Sequence, residues 1–292
     1  MLITILAWGY NFVSLKLLYA EMTPPVVALV RYFALLVFLW GTCLALRVNM
    51  QVEKGDWPRI LWSGALAMGI YMVLFLSGMA LTNPAEGAIL ISTTPLWAYL
   101  FSLVRRMEPF SLAGIIGTLI AFTGVVCVVM GGGVDGHGTV LGNSIVFIAA
   151  IVWTAATFTM RPLLTKYEPL PLLTLSLPGA APILLVYGLV PTLNYDFSKL
   201  SPSGWGNLVQ ISVLSGGVAF VCFYHGIQKI GPAKATRYQF FVPPLAALFS
   251  MWLLKKPILP LQWLGILLVL GGVALTSVAR EAVARAPSTA RK

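Results

Sequence analysis

Charged and metal-binding side chains are scarce in this chain of 292 residues. Only 10% of the residues are charged, and there are nine aspartates and glutamates, two histidines and three cysteines. So little charge, beside 59% hydrophobic residues, excludes a soluble domain, because large apolar patches would face water. Cys43, Cys127 and Cys222 stand in apolar runs without pairing or metal-ligand spacing, so we expect neither a disulfide nor a metal site.

Long apolar runs dominate the chain instead. A helix needs about 20 mainly apolar residues to cross the hydrocarbon core of a bilayer. Ten runs of that kind, bounded by proline, glycine or charge, fall near residues 2–19, 26–46, 58–80, 85–104, 111–130, 141–160, 170–190, 204–227, 234–254 and 260–279. Backbone groups in lipid must be hydrogen-bonded within the segment, so these runs predict an all-α integral membrane protein with ten transmembrane helices.

The net charge of +10 comes mostly from lysines and arginines placed between the apolar runs. That placement is typical of the positive-inside rule in membrane proteins, so no nucleic-acid partner is needed to explain it. If the amino terminus is cytoplasmic, 13 of the 19 basic residues fall on the cytoplasmic side and four on the other. The sequence therefore predicts that both termini are cytoplasmic, although the Lys255-Lys256 pair opposes the rule.

An internal repeat divides the chain into two halves. At a shift of 148 residues, 12 of the 43 positions from Pro84 to Val126 are identical to those from Pro232 to Ala274, including three prolines and two glycines. Prolines and glycines that match at one fixed shift indicate a duplication. We predict five-helix units at residues 1–133 and 139–280 and a disordered cytoplasmic tail at 281–292. Because five is odd, the second unit enters the membrane from the opposite side, which predicts inverted repeats around a central cavity.

Several motifs make the whole chain similar to a known family. They are Trp8-Gly-Tyr-Asn-Phe, Pro25-Val-Val-Ala-Leu-Val-Arg31-Tyr-Phe, Pro95 in the fourth span, and Leu261-Gln-Trp-Leu-Gly265 leading to Gly271-Gly272. With them the chain resembles the ten-helix EamA-type branch of the drug/metabolite transporter superfamily, and within it the exporters of aromatic amino acids. The resemblance implies a bacterial-type inner-membrane exporter of amino acids or other small metabolites. The chain departs from many relatives at Leu254-Lys255-Lys256-Pro257, where they carry Gly-Glu.

Aromatic and polar residues share helical faces in several spans, because positions three and four apart lie on one side of a helix. An apolar wall with a few placed polar groups is typical of a ligand site. We therefore predict a cavity wall that includes Trp8, Asn11, Tyr71, Phe75, Thr93, Trp97, Trp153, Thr157 and Tyr238. The alternative for each of these residues is helix packing or an interfacial belt.

Ionisable residues within the spans are costly, so each is a functional candidate. We predict gating or coupling roles for Arg31, Glu86, His225 and Arg237. A salt bridge between Arg31 and Glu86 that only joins two helices is an equal alternative. Pro95, Pro243 and Pro244 remove backbone donors in mid-span, which predicts helix kinks that leave carbonyl groups free for ligand, water or neighbouring helices.

These patterns favour a secondary transporter that exports hydrophobic or aromatic amino acids by alternating access. The predicted partners are a small-molecule substrate and membrane lipid, without any cofactor. A phosphate-bearing or nucleotide-sugar exchanger, a lipid scramblase or a passive channel remain alternatives. The chain has no P-loop, and it has no Gly-x-Ser-x-Gly or His-Glu-x-x-His motif, so an ATP-driven pump and an intramembrane enzyme are disfavoured.

Overall fold

The computed structural model describes residues 1–82, 84–107, 110–131, 139–254 and 257–285, with the backbone alone for residues 84–86, 250, 253, 254 and 277–285. All regular structure in this part of the chain is helical. Apart from the short 3₁₀ helices Lys54–Asp56, Leu163–Thr165 and Phe197–Lys199, it forms ten rods. They are α1 (Leu2–Leu18), α2 (Pro24–Ala45), α3 (Trp57–Gly64, Ala65–Ile70 and Tyr71–Leu81), α4 (Pro84–Ile91 and Thr94–Val104), α5 (Leu112–Gly131), α6 (Val140–Met160), α7 (Pro169–Leu193), α8 (Pro202–Val209, Gln210–Val218 and Ala219–Ile230), α9 (Pro232–Arg237, Tyr238–Phe241 and Val242–Leu254) and α10 (Pro260–Arg285). The predicted all-α membrane fold is confirmed.

The lengths of the rods differ from the prediction in detail. Seven helical segments of the described chain are long and apolar enough to cross a membrane, while α1 and the Pro260–Thr276 part of α10 are apolar but shorter. The rod α9 consists of three short pieces. The helix α10 runs to Arg285, past the tail boundary predicted at residue 281. Residues 132–138, where the predicted boundary between the two units falls, and the Lys255-Lys256 pair lie outside the described residues.

Proline begins many of the rods. Pro24, Pro58, Pro169, Pro202 and Pro232 all stand in the first turn of a helix. The first turn has no intrahelical partner for its N–H groups, so a residue without an N–H and with a fixed φ fits there. These five prolines therefore mark helix starts, whereas Pro178, Pro182 and Pro191 lie inside α7.

The two rods α5 and α10 pack along each other through glycine. A Cβ built at Gly117 would lie 2.7 Å from the Gly272 carbonyl oxygen, and one built at Gly124 would lie 2.6 Å from that of Gly265. Residue numbers rise along α5 as they fall along α10, so the two helices are antiparallel. Small residues let the backbones approach this closely, as is common between helices in membranes.

Irregular helix geometry recurs at corresponding places in the two halves. The middle piece of α3, Ala65–Ile70, is a π-helix, and the shift of 148 residues carries it onto 213–218, inside the π-helical piece Gln210–Val218 of α8. The break of α4 after Ile91 corresponds in the same way to the 3₁₀ piece Tyr238–Phe241 of α9. Equivalent sequence positions therefore depart from α-helical geometry together.

The packing of the rods places the centre of the molecule between the halves. α1 packs against α8 and α9, while α6 packs against α3 and α4. α2 and α7 pack together on one side of this centre, and α5 and α10 pack together as well. Side chains from α1, α3, α6 and α8 therefore meet in the middle of the fold.

Candidate functional site

A small cavity with a volume of about 80 Å³ lies in the centre of the fold. This is smaller than the clefts of about 300–1,000 Å³ that hold drug-sized ligands, so the wall must move apart to admit one. The side chains that line it are Trp8, Asn11, Phe12, Arg31, Tyr71, Met72, Phe75, Ile91, Ser92, Trp153, Phe220, Gln239 and Val242. They come from both halves of the chain and from α1, α2, α3, α4, α6, α8 and α9.

Aromatic rings form most of one wall. The rings of Trp8 and Trp153 meet edge to face with centroids 5.9 Å apart, and Tyr71 lies 5.0 Å from Trp153. Tyr71 also stacks on Phe75 at 5.6 Å. Trp8 is fixed by a hydrogen bond from its Nε1 to the Ser215 carbonyl oxygen at 3.1 Å. Trp8 and Trp153 are equivalent at a shift of 145 residues, so the two halves meet at their matching residues.

Arg31 places a buried cation in this wall. Its side chain is 6% exposed, and its Nη1 lies 3.5 Å from the Met72 Sδ atom. The guanidinium lies beside Gly216 of α8, where a built Cβ would make an ordinary contact of 3.5 Å with the Arg31 Nε. The ion pairs found among the described side chains do not include Arg31. The predicted pairing with Glu86 stays a prediction, because that side chain lies outside the described residues.

Two carboxamides complete the polar part of the wall. Asn11 is buried, and its Oδ1 atom has no hydrogen-bond partner. Gln239 also lines the cavity, and its Nε2 atom has no partner either. Buried polar groups in proteins are normally hydrogen-bonded, so unpaired groups beside a cavity are available to a ligand.

The predicted wall residues separate into two groups. Trp8, Asn11, Tyr71, Phe75 and Trp153 line the cavity, as does Arg31, which was predicted as a gate.

Four other predicted wall residues are not among the lining side chains. Thr157 is buried and donates to the Trp153 carbonyl oxygen at 2.9 Å within its own helix. Thr93 accepts a hydrogen bond from Trp97 Nε1 at 3.2 Å. Tyr238 is 37% exposed and packs on Phe241.

Two other gate candidates, His225 and Arg237, are described by the structure. His225 is exposed on α8. Arg237 is buried, with its guanidinium carbon 5.6 Å from the centre of the Tyr99 ring. Neither residue is among the lining side chains.

The predicted proline kinks take a different form. Pro95 does not bend a continuous helix, because the second piece of α4 starts at Thr94 with Pro95 in its first turn. Pro95 has no N–H to donate to the carbonyl of Ile91. That carbonyl instead accepts a hydrogen bond from Thr94 Oγ1 at 2.7 Å. Pro243 and Pro244 likewise stand at the start of the piece Val242–Leu254. The Ile91 carbonyl therefore has a donor within α4, and the role of these prolines as helix kinks stays a prediction.

Sequence reasoning missed seven lining residues. They are Phe12, Met72, Ile91, Ser92, Phe220, Gln239 and Val242. The internal repeat held a signal for some of them, because Met72 is equivalent to Phe220 and Ile91 to Gln239 at the shift of 148 residues. The sequence predicted Tyr238 as a wall residue, but Gln239 lines the cavity instead. Both residues lie in a 3₁₀ piece, which has 3.0 residues per turn and therefore changes which side chains face inward.

Apolar rods around a central cavity, with an aromatic wall and a few buried polar groups, define a multi-pass membrane transporter. Among the described residues, no group of three or more His, Cys, Asp or Glu side chains could hold a metal ion.

Comparison with known proteins gives the family. The model of the EamA-like transporter family matches residues 1–130 and 140–278. The chain belongs to the EamA-like transporter family, part of the drug/metabolite transporter superfamily, and the resemblance found in the sequence is confirmed.

Relatives are found in bacteria and archaea. A probable terminal-alkyne amino-acid exporter of Streptantibioticus cattleyicolor is 27% identical over 75% of this chain and 73% of its own length. The uncharacterized transporter YetK of Bacillus subtilis is 25% identical over 84% of this chain and 77% of its own length. A protein of known crystal structure has a TM-score of 0.78 with 19% identity, covering 96% of both chains, and shares the fold.

Proposed function

We propose that this protein is a secondary transporter that exports hydrophobic or aromatic amino acids across a bacterial-type inner membrane by alternating access. The observation that carries the proposal is the cavity in which Arg31 is buried beside the rings of Tyr71, Trp153 and Trp8. Such a cavity suits a small molecule with one anionic end and an apolar body.

The arginine accounts for the anionic end. A guanidinium presents several N–H donors in a fixed plane and matches a carboxylate with two parallel hydrogen bonds. Hydrogen bonds to charged groups contribute about 1.5–3 kcal/mol each, and more is lost when a buried charge stays unpaired. A substrate carboxylate would supply the anion for which Arg31 has no described ion-pair partner.

The aromatic wall accounts for the apolar body. Pairs of aromatic rings at centroid distances of about 4.5–7 Å contribute roughly 0.5–1.5 kcal/mol beyond burial of their area. Tyr71, Phe75 and Trp153 already stack among themselves at such distances. A substrate ring or branched aliphatic chain can join this stack without leaving polar groups unpaired.

A relative supports export of this kind of substrate. The Streptantibioticus cattleyicolor relative is named as a probable terminal-alkyne amino-acid exporter. A phosphate-bearing substrate fits less well, because it carries more charge and Arg31 is the one basic residue among the described side chains of the wall.

Transport across the membrane requires the cavity to open to each side in turn. The π-helical pieces of α3 and α8 and the breaks in α4 and α9 occur at equivalent positions of the two halves. π-helical bulges are frequent at functional sites, and broken helices are frequent beside transporter sites. These places are the proposed bending points.

The test is a substrate panel on purified protein in liposomes. Loaded radiolabelled phenylalanine should exchange with external phenylalanine, tryptophan or leucine, and not with lysine or a phosphosugar. Repeating the assay with and without a pH gradient reports on the driving force. Exchange with the phosphosugar alone, or none with any amino acid, would remove the proposed substrate class.

A further inference from the structure

The polar groups of the cavity break the symmetry between the two halves of the chain. The shift of 145 residues pairs Asn11 with Ala156, and the shift of 148 pairs Gln239 with Ile91. Asn11 and Gln239 both line the cavity, as does Ile91. A fully symmetric cavity would carry the same side chains in both halves. In this cavity, each of the two carboxamide residues has an apolar residue at the equivalent position of the other half.

The two carboxamides are poised for a ligand. Asn11 is 7% exposed and its Oδ1 has no partner, while the Nε2 of Gln239 has none either. No hydrogen bond fixes Asn11 in one orientation among the described contacts, so rotation of its terminal amide can present oxygen or nitrogen to the cavity. A carboxamide both accepts and donates hydrogen bonds, unlike a guanidinium, which only donates.

We propose that the carboxamide oxygens of Asn11 and Gln239 accept hydrogen bonds from the α-ammonium group of the substrate, and that the unpaired Nε2 of Gln239, which is a donor, faces the carboxylate held by Arg31. The inference rests on the proposed function and deepens it, because it makes the transporter select α-amino acids over aromatic carboxylates that lack the amine. Both residues line the same cavity as Arg31, so groups that suit each charge of a zwitterionic head face one space.

The alternatives for holding the ammonium group are few. Arg31 repels a cation and cannot accept a hydrogen bond. The described side chains of the cavity wall include no aspartate or glutamate, so the acceptors come from neutral groups. Carboxamide oxygens are the strongest neutral side-chain acceptors there, and the rings of Tyr71 and Trp153 add cation–π attraction at the edge of the same space.

The experiment compares three molecules that share a phenyl ring. Inhibition of labelled phenylalanine exchange by phenylalanine, 3-phenylpropionate and phenethylamine is measured in liposomes for the wild type, Asn11→Leu and Gln239→Met. We expect the wild type to bind phenylalanine about tenfold or more tightly than 3-phenylpropionate, the ratio that one hydrogen bond to a charged group provides. Each variant should lose that preference while its affinity for 3-phenylpropionate stays unchanged.

Ser14→Ala is the matched control. Ser14 lies on α1, three residues after Asn11, and its buried hydroxyl also lacks a partner, but it does not line the cavity. Its substitution should leave the preference intact. Equal wild-type affinity for phenylalanine and 3-phenylpropionate overturns the inference, and so does a parallel loss of both in the folded variants. If a variant fails to fold, the ratio of the wild-type affinities for phenylalanine and 3-phenylpropionate still tests the inference. If none of the three molecules competes and no amino acid exchanges, the proposed function itself has failed.

Discussion

Burying an arginine within a membrane-spanning helix is unfavourable by about 2.5–3.5 kcal/mol on insertion scales. Arg31 lies in α2, with 6% of its surface exposed, and its closest described polar contact is a methionine sulfur. A group with this cost is retained where it interacts with a ligand or with another part of the mechanism. Arg31 is therefore the residue at which the proposed binding of a substrate carboxylate is most directly tested.

Replacing Arg31 should weaken carboxylate binding in a graded way. Arg31→Met keeps the apolar stem and removes the charge, so we expect the apparent affinity for phenylalanine to fall between about tenfold and 100-fold. Arg31→Lys keeps the charge without the planar fork and should give an intermediate loss. The measurement is the concentration dependence of exchange in liposomes. Arg59→Met, which removes an exposed arginine at the start of α3, should bind phenylalanine with wild-type affinity. Wild-type affinity for phenylalanine in Arg31→Met would contradict the role of Arg31 in carboxylate binding.

At the scale of single residues, helical spacing predicted part of the wall. Trp8, Tyr71, Phe75 and Trp153 lie on α-helical pieces where a period of 3.6 applies, and they line the cavity. Spacing did not exclude Thr157, whose hydroxyl bonds to its own helix instead of facing the cavity. A side chain on the inner face of a helix can meet either the cavity or a neighbouring helix. Which of the two it meets depends on how the helices pack, and the sequence of one span does not contain that information.

Among the helices, the α5/α10 pair depends most directly on small residues. Cβ atoms built at Gly265 and at Gly272 would each lie 2.5 Å from a backbone oxygen of α5, that of Gly124 and that of Gly117. Backbone atoms cannot move aside as the end of a side chain can. Any larger residue must therefore push the two helices apart.

Substitution of these glycines should destabilise the protein. Gly265→Ala or Gly272→Ala should lower the free energy of unfolding by about 1–3 kcal/mol, the usual effect of overpacking. Gly271→Ala is the control on the same helix, because a Cβ there has no atom within 4 Å and alanine favours a helix by roughly 0.5–1 kcal/mol. Thermal unfolding in detergent measures all three. A melting temperature of Gly265→Ala equal to that of Gly271→Ala would contradict the close backbone packing.

For the whole molecule, two polar networks link the halves at corresponding places. Lys166 Nζ lies 2.9 Å from Glu53 Oε2 and 3.0 Å from Asp56 Oδ2, and these hydrogen bonds raise the pKa of Lys166. Elsewhere, Glu21 accepts hydrogen bonds from the backbone N–H of Ser201 at 2.8 Å and from its hydroxyl at 2.9 Å. The shift of 145 residues carries Glu21 onto Lys166, and the shift of 148 carries Glu53 onto Ser201.

Such a pair of networks is expected if the halves are inverted, because each then closes a different face of the membrane. The antiparallel course of α5 and α10 agrees with that arrangement. The division into units at residues 133 and 139, and the cytoplasmic position of the termini, stay predictions.

Labelling from each side of the membrane tests the orientation. In a background without the native cysteines, Gln51→Cys should react only with a reagent on the cytoplasmic side and Lys199→Cys only with one outside, because the positive-inside rule places these loops on opposite faces. Both residues are exposed in the structure. Labelling of a lysed sample serves as the control for reactivity. Reaction of both from one side would contradict the inverted arrangement.

The sequence by itself determined that this is an all-α membrane protein of the EamA type, because hydropathy, proline and glycine act locally and the duplication repeats them in register. It also predicted Trp8, Asn11, Tyr71 and Trp153 as wall residues. Only the tertiary structure decided that Gln239 replaces Tyr238 in the wall and that His225 faces outward. The reason is physical: breaks and 3₁₀ or π turns rotate the faces of a helix, and the side chains that enclose a cavity belong to helices far apart in the chain.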